Sequence, residues 1–494
     1  MYYIIILKNS FLGGVIIIKV RKILFCFIVF SAILSISGCS LNNNTVQNNK
    51  PDSSVNPTQL AKQPLSESEF TGILADAREI IINIAKSGAA QEYIDSLNAA
   101  IVRLDSSEPV SEITEKVKGA TDLLRTIISY DSSEIEEKAL KTSYENYIST
   151  FGNDALNLTK LDYYLAVVAI REKSRLNDKE AVLSFVGDCS FGTYPEAKKE
   201  NHFDYVFENV AKGDFEYFFK NCHAFFRTDD LTIANNETAI TIRTKMQNKL
   251  WRIKSDPMYT KLYPMTDIEV VNLANNHTYD CFKEGYDDTL ESLEDNNVEY
   301  FDADHVLIKE IKGLQFVFIG YDIRQSQVSP SAKQEVIDAI KRHKTENNFV
   351  VANIHWGREY SEQPLAYQKE YAYAFLDAGA DLIIGSHPHI MQGIEKYKDK
   401  YIVYSMGDFL FGADPDLESR DTSIFRIRVN TETKKVALEI YPFFENSDGV
   451  KSGYNNFQPL PLFGNETDTI FSYLKRISEP LEYGVTEYTT FNPF

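Results

Sequence analysis

Four of the chain's eight histidines, His277, His355, His387 and His389, stand where short apolar runs give way to polar residues. The fragments are Val186-Gly187-Asp188-Cys189-Ser190, Ile233-Ala234-Asn235-Asn236-Glu237, Leu273-Ala274-Asn275-Asn276-His277, Asn353-Ile354-His355-Trp356-Gly357 and Ile384-Gly385-Ser386-His387-Pro388-His389. Taken singly, each has a plain structural use. Asp188 could cap a helix, Asn275-Asn276 could form a turn, Glu237 could be a solvated rim charge, and a lone His could bond within its loop. Together they offer imidazole nitrogen, carboxylate oxygen and amide oxygen. That mixed set suits zinc, manganese or iron, whereas magnesium and calcium favour oxygen alone. His387 and His389, one residue apart, cannot share a helix face. In an extended loop they point the same way, and Pro388 stiffens the segment.

Something must bring these fragments together. Leu183–Val186, Val270–Ala274, Phe316–Ile319, Phe349–Ile354, Leu382–Ile384 and Ile402–Tyr404 read as short buried strands. Helical stretches separate several of them, the clearest carrying Tyr367, Tyr371, Ala374, Phe375 and Ala378 and stopping at Gly379. Fully apolar strands alternating with helices predict an α/β sheet covered on both faces. Polar residues just past the strand C-termini then collect on one edge, where sites form.

Composition narrows the class. Acids outnumber bases 71 to 51, for a net charge of −20, which argues against a protein built around nucleic-acid phosphates. With 31 Phe and 29 Tyr in 494 residues the chain has ample core-forming material and reads as two or three domains. Five scattered Cys without CxxC spacing exclude a disulfide scaffold and a thiolate zinc site.

The N-terminus carries an address. Lys19, Arg21 and Lys22 precede the apolar run Ile23–Phe30, which continues to Gly38-Cys39 in the order of a secretory signal. Its end, Ile36-Ser37-Gly38-Cys39, resembles a bacterial lipobox, in which Cys39 is lipidated and becomes the first mature residue. An uncleaved transmembrane anchor is the alternative, and either way the bulk of the chain faces outward. Residues 40–64 are rich in Asn, Ser, Gln and Pro and read as a flexible tether. Ser66-Glu67-Ser68-Glu69 forms a capping box, followed by repeated amphipathic helical patterns as far as Ile170, with no His among them. That segment reads as a helical bundle serving as spacer or protein-binding stalk. The tail from about residue 446 mixes Pro, Gly and Tyr around one helical run, Thr467–Ile477, and is expected to wrap the core.

The chemistry-bearing fragments also carry a resemblance. Residues from about 180 to 440 resemble the CapA family of bacterial capsule proteins, associated with poly-γ-glutamate synthesis. Gly187-Asp188 is similar to its opening motif and Ala234-Asn235-Asn236-Glu237 to its second. Leu273-Ala274-Asn275-Asn276-His277 with Tyr279-Asp280 and Glu284-Gly285 is similar to its third. His355-Trp356-Gly357, Asp377-Ala378-Gly379-Ala380-Asp381, Ser386-His387-Pro388-His389, Gln392-Gly393 and Tyr404-Ser405-Met406-Gly407-Asp408-Phe409 follow the rest of the pattern. The family is related to calcineurin-like metallophosphoesterases, which implies a two-sheet sandwich flanked by helices. By that relationship Asp188, Glu237, Asn276, His355, His387 and His389 would hold one or two divalent metals, manganese, zinc or iron. His277 would be the general acid or a further ligand, and Asn235, Asn275, Asp280 and Asp408 would support the ligands from behind. Ser190 stands where phosphoesterases usually place a His, and Glu237 follows Asn235-Asn236 rather than a Gly-Asp pair.

The expected organisation is therefore a lipoprotein-type signal (1–38), a disordered tether (39–65), a helical spacer (66–175), a CapA-like domain (176–445) and a C-terminal extension packing on the core (446–494). Three functions fit: an extracytoplasmic, lipid-anchored metal-dependent hydrolase, a non-catalytic component of capsule synthesis or export, and a surface binding protein. Expected partners are the membrane, capsule synthase or export proteins and an anionic polymer, without nucleic acid.

Overall fold

The computed structural model describes residues 175–194, 202–412, 420–447 and 455–488, with Val168 and Glu172 ahead of them and the backbone of residues 3–8 and 15–20. The chain forms two compact units, one of residues 1–54 and 62–163, the other of 55–61 and 164–494. In the first, Tyr3–Lys8 and Val15–Val20 pair as antiparallel strands. The apolar run and Cys39 of the expected signal, the tether and nearly all of the expected helical spacer lie outside the described residues.

The second unit is α/β, built on two large sheets beside a small parallel ladder of Ala239–Ile240 with Lys254–Ser255. Its strands are β1 (Glu180–Ser190), β2 (Leu231–Asn236), β3 (Val270–Asn272), β4 (Glu299–Phe301), β5 (Leu307–Ile311), β6 (Leu314–Arg324) and β7 (Asn348–Gly357). They continue with β8 (Leu382–Ser386), β9 (Ile394–Tyr397), β10 (Lys400–Val403), β11 (Asp408–Phe411), β12 (Asp421–Asn430), β13 (Val436–Phe444) and β14 (Leu460–Pro461). One sheet runs β14-β13-β12-β1-β2-β3-β4, with β11 added beside β1; the other runs β9-β10-β8-β7-β6-β5. The neighbours β1 to β4 are parallel, as are β6, β7 and β8, so their C-terminal ends gather on one side of each sheet.

Period-two alternation decides which side chains face which layer. Val317, Ile319, Tyr321 and Ile323 of β6 and Val350, Ala352, Ile354 and Trp356 of β7 share one core cluster. The helices Pro330–His343 (α1) and Ala366–Ala378 (α2) complete it, through Val336, Ile340, Tyr371 and Phe375. Ser329 caps α1 by accepting from the Ala332 amide, and α2 stops at Gly379, whose φ of 123° few other residues adopt. The alternate residues of β6 and β7 must face the other way, toward the first sheet. There the Phe301 and Phe318 rings lie 5.7 Å apart, and a Cβ on Gly320 would fall 2.3 Å from Asn272 Oδ1. The two sheets are thus in contact just short of the strand ends.

On β12, Arg426 and Arg428 are buried and answered by Glu172, with Arg426 Nη1 3.0 Å from Glu172 Oε2. Unpartnered, such charges would be strongly destabilising. Among the described residues beyond 446, β14 extends the first sheet, and helix Thr467–Ser478 (α3) buries Ile470, Leu474 and Ile477.

Candidate metal centre

Asp188 lies inside β1, and the expectation that it follows the strand is corrected. The strand continues because its second half gains a parallel partner, β11, which pairs Asp408 with Asp188. Gly187 permits that approach, since a Cβ there would sit 1.9 Å from Gly407 O. The Asp188 amide donates to Gly407 O at 2.9 Å. Its carboxylate accepts from Asn235 Nδ2 at 2.7 Å and from the His387 amide at 3.2 Å. Glu237 is the first residue after β2 and is pinned by its own amide, which donates to Cys189 O at 2.9 Å.

His355 likewise lies within its strand, β7, on the face opposite Trp356. Its Nδ1 is 2.9 Å from Ser386 Oγ and its Nε2 is 2.6 Å from Asn276 Oδ1. The segment 387–389 is not extended, which corrects the second expectation. His387 and His389 adopt φ of 97° and 59°, in the left-handed region that side chains disfavour. A tight turn, not strand alternation, brings both rings inward, their centroids 6.0 Å apart.

Ligand atoms of Glu237, His355 and His387 lie within 4.8 Å of one another, as do those of Asp188, Glu237 and His389 and those of Glu359, His387 and His389. Glu237 Oε1 is 3.5 Å from His355 Nε2 and 4.0 Å from His389 Nε2, while His389 Nδ1 is 3.6 Å from Asp188 Oδ2. Behind the centre, His389 Nδ1 is 2.9 Å from Asp408 Oδ1. Asn275 Nδ2 donates to Asn236 O at 2.8 Å, and Asn272 Nδ2 donates to Asn235 Oδ1 at 2.9 Å. His277 Nδ1 is 2.7 Å from Asp280 Oδ2, and its Nε2 is 3.9 Å from Glu237 Oε1. Asp280 thus supports His277, and Asp408 supports His389. Asn276 reaches His355, and to bind a common ion the two would give up their mutual hydrogen bond.

The electrostatics favour a cation. Both Glu237 oxygens and His387 Nδ1 are buried with no hydrogen-bond partner among the described residues. Burial and then the Asp188 charge push the Glu237 carboxyl well up; burial also raises Asp188, against the pull of His389 and Asn235. Burial and the neighbouring imidazoles hold His355 and His387 well below the usual histidine value, leaving neutral nitrogens. Burial opposes charge on His389 as well, but Asp408, Glu237 and Asp188 outweigh it and raise the ring. Burial outweighs Asp280 at His277, which falls to about 4. Mixed nitrogen and oxygen donors around two unanswered carboxylate oxygens fit a divalent ion. The Cys189 thiol, pushed up by burial and by Asp188, stays protonated and is not a donor of this kind.

Sequence reasoning missed Glu359, which joins His387 and His389 from the loop after β7, and Ser386 as the partner of His355. It also missed Lys249, which pairs with Asp280 and donates to Asn276 O. Glu359 had a signal, its place just past the strand that carries His355. Lys249 had none.

Residues 182–413 match the family model for the bacterial capsule synthesis protein PGA_cap. The chain is 29% identical over 248 residues to the PGA biosynthesis protein CapA of Bacillus subtilis, covering 46% of this chain and 62% of that protein. It is 26% identical over 264 residues to the capsule biosynthesis protein CapA of Bacillus anthracis, covering 48% and 61%. A probable polyglutamine synthesis accessory protein of Mycobacterium tuberculosis matches at 25% over 213 residues, covering 36% and 55%. The chain thus spans about three fifths of the length of the two Bacillus relatives. Every residue of the candidate centre falls inside the matched region, so it is residues 182–413 that carry the likeness to the CapA family.

Proposed function

We propose that the chain acts outside the cell in the synthesis or export of a poly-γ-glutamate capsule, as a metal-dependent hydrolase of the metallophosphoesterase kind. The carrying observation is Glu237, a buried carboxylate with no hydrogen bond to either oxygen among the described residues, ringed by Asp188, His355, His387 and His389. The relatives' names supply the process. Asp188, Glu237, His355, His387 and His389, with Asn276, would hold the ion, which when bound supplies Lewis-acid polarisation of an anionic oxygen. The chain's own residues do the rest. Asp408 fixes the His389 ring, Ser386 fixes His355, and Asp280 holds His277 with Nε2 turned toward Glu237. With its pKa near 4, His277 is neutral at pH 7 and in this state suits a ligand or proton acceptor. To act as the acid it needs an anion beside it to raise its proton affinity.

Ser190 favours a single ion, because its hydroxyl lies against Gly192 and stands where a second metal would need a ligand. A non-catalytic role in the capsule machinery is the second reading that this incomplete donor set supports. Manganese content and hydrolysis of an aryl phosphodiester decide between the two. Loss of both in His355→Ala and His387→Ala is the expected result; unchanged metal content in these variants overturns the assignment. We also propose that Cys39 anchors the protein to the outer face of the cell membrane through lipid. Cys39→Ala is then expected to release it or block its processing, and unchanged membrane fractionation refutes the anchor.

A further inference from the structure

We propose that Arg324, held by Asp322, receives the anionic group of the substrate beside the candidate metal centre. This rests on the reading above, and adds a residue outside the family motifs and the metal-capable groups. On β6 the residues Val317, Ile319, Tyr321 and Ile323 face the helices, so Phe316, Phe318, Gly320, Asp322 and Arg324 line the opposite face. Along that row Phe318 meets Phe301 and Gly320 abuts Asn272, so the two sheets touch there. Asp322 and Arg324 carry the row onward to the open edge.

Register places them. Asp322 pairs with His355, His355 with Ser386, and Arg324 with Gly357. Asp322, His355 and Ser386 therefore form a rank across three strands, and Arg324 stands one step nearer the mouth. Asp322 takes the Nε and Nη2 side of the guanidinium, with Nε 2.9 Å from Oδ1 and Nη2 3.0 Å from Oδ2. A guanidinium has five N–H donors in a fixed fork, so the Nη1/Nη2 edge is left without a partner among the described residues. The Arg324 side chain is 29% exposed, open to a ligand while its orientation is set by Asp322.

The chemistry needs such a group. Asp188, Glu237 and Asp408 line the centre and the whole chain carries −20, so an approaching anion meets a field of its own sign. A planar fork at the mouth offsets that repulsion and binds carboxylate or phosphate through two parallel bonds. The ligand is therefore an oxyanion group, phosphate or glutamyl carboxylate.

The test titrates full-length, manganese-loaded chain with inorganic phosphate and, separately, with γ-glutamylglutamate, following heat and metal content. Arg324→Ala is expected to weaken binding of at least one anion about 10- to 100-fold, as loss of a charge-assisted pair implies. Arg324→Lys is expected to restore part of it, and metal content to stay unchanged. Loss confined to phosphate identifies a phosphate receptor; loss confined to the dipeptide identifies a carboxylate receptor. Arg324→Gln, closer in shape, serves if the alanine variant does not fold. Wild-type affinity for both anions in the variants overturns the proposal, as does a loaded wild type that binds neither. A wild type that takes up no manganese refutes the metal reading instead. In that case Arg324-dependent anion binding by the metal-free chain still upholds the assignment, and its absence overturns it.

Discussion

Glu237→Gln separates the cost of a buried carboxylate from its use. In the metal-free chain both oxygens of Glu237 are buried and unanswered, and an Asp188 oxygen lies within 4.8 Å. A buried polar group without a partner costs about 1–3 kcal/mol, and more if charged. The amide keeps the cost of a buried polar group but cannot ionise beside Asp188, and is therefore expected to make the metal-free chain more stable, by about 1 kcal/mol or more above the unfolded carboxyl's pKa. Burial raises the Glu237 carboxyl, so the wild type's disadvantage is absent below the unfolded value, near pH 4, and grows as the pH rises. Metal reverses the order. At a concentration 100 times its Kd an ion adds about 2.7 kcal/mol to the wild type. The variant, lacking a charged ligand, gains little. Urea unfolding of both proteins in chelator and in excess manganese reads all four stabilities. A variant less stable than wild type in chelator, yet gaining as much from manganese, refutes the argument that this carboxylate awaits a cation.

Other consequences are equally open to measurement. Asp408→Asn, which weakens the 2.9 Å support of His389 Nδ1, is expected to lower metal affinity about 10- to 100-fold in a competition titration. Gly187→Ala would put a Cβ 1.9 Å from Gly407 O, so β1 and β11 must part. A loss of about 1–3 kcal/mol or more in unfolding is expected, together with weaker metal binding because Asp188 moves. Away from the site, burial raises Asp229 to about 7, against Arg426, and raises Glu269 to about 8, helped by Asp229. Both raised carboxyls contribute stability that is complete below their unfolded values and is lost as the pH rises through 7 to 8. The unfolding midpoint is expected to fall between about pH 4 and 8 in wild type and to fall less in an Asp229→Asn, Glu269→Gln double variant.

Much of the architecture was legible because it is written locally. Apolar runs such as Phe349–Ile354 and Leu382–Ile384 are strands, and α2 ends at Gly379 as its pattern predicts. Their ends were misplaced. β1 and β7 extend through Asp188 and His355 because partner strands satisfy their backbone there, which no residue inside either segment announces. The turn at His387-Pro388-His389 was hidden for a similar reason. Its positive φ angles are held by surrounding bonds, such as Tyr360 N to Pro388 O at 2.8 Å, and not by local preference.

The sequence by itself determined the donor types and the α/β class. Side-chain chemistry and the two- and 3.6-residue periods are properties of neighbours in the chain. Only the tertiary structure decided that Glu237 meets His355 across the cleft, that Asp408 backs His389, and that Arg324 stands at the mouth. Those distances depend on strand order and on how closely two sheets pack, which the whole core sets at once.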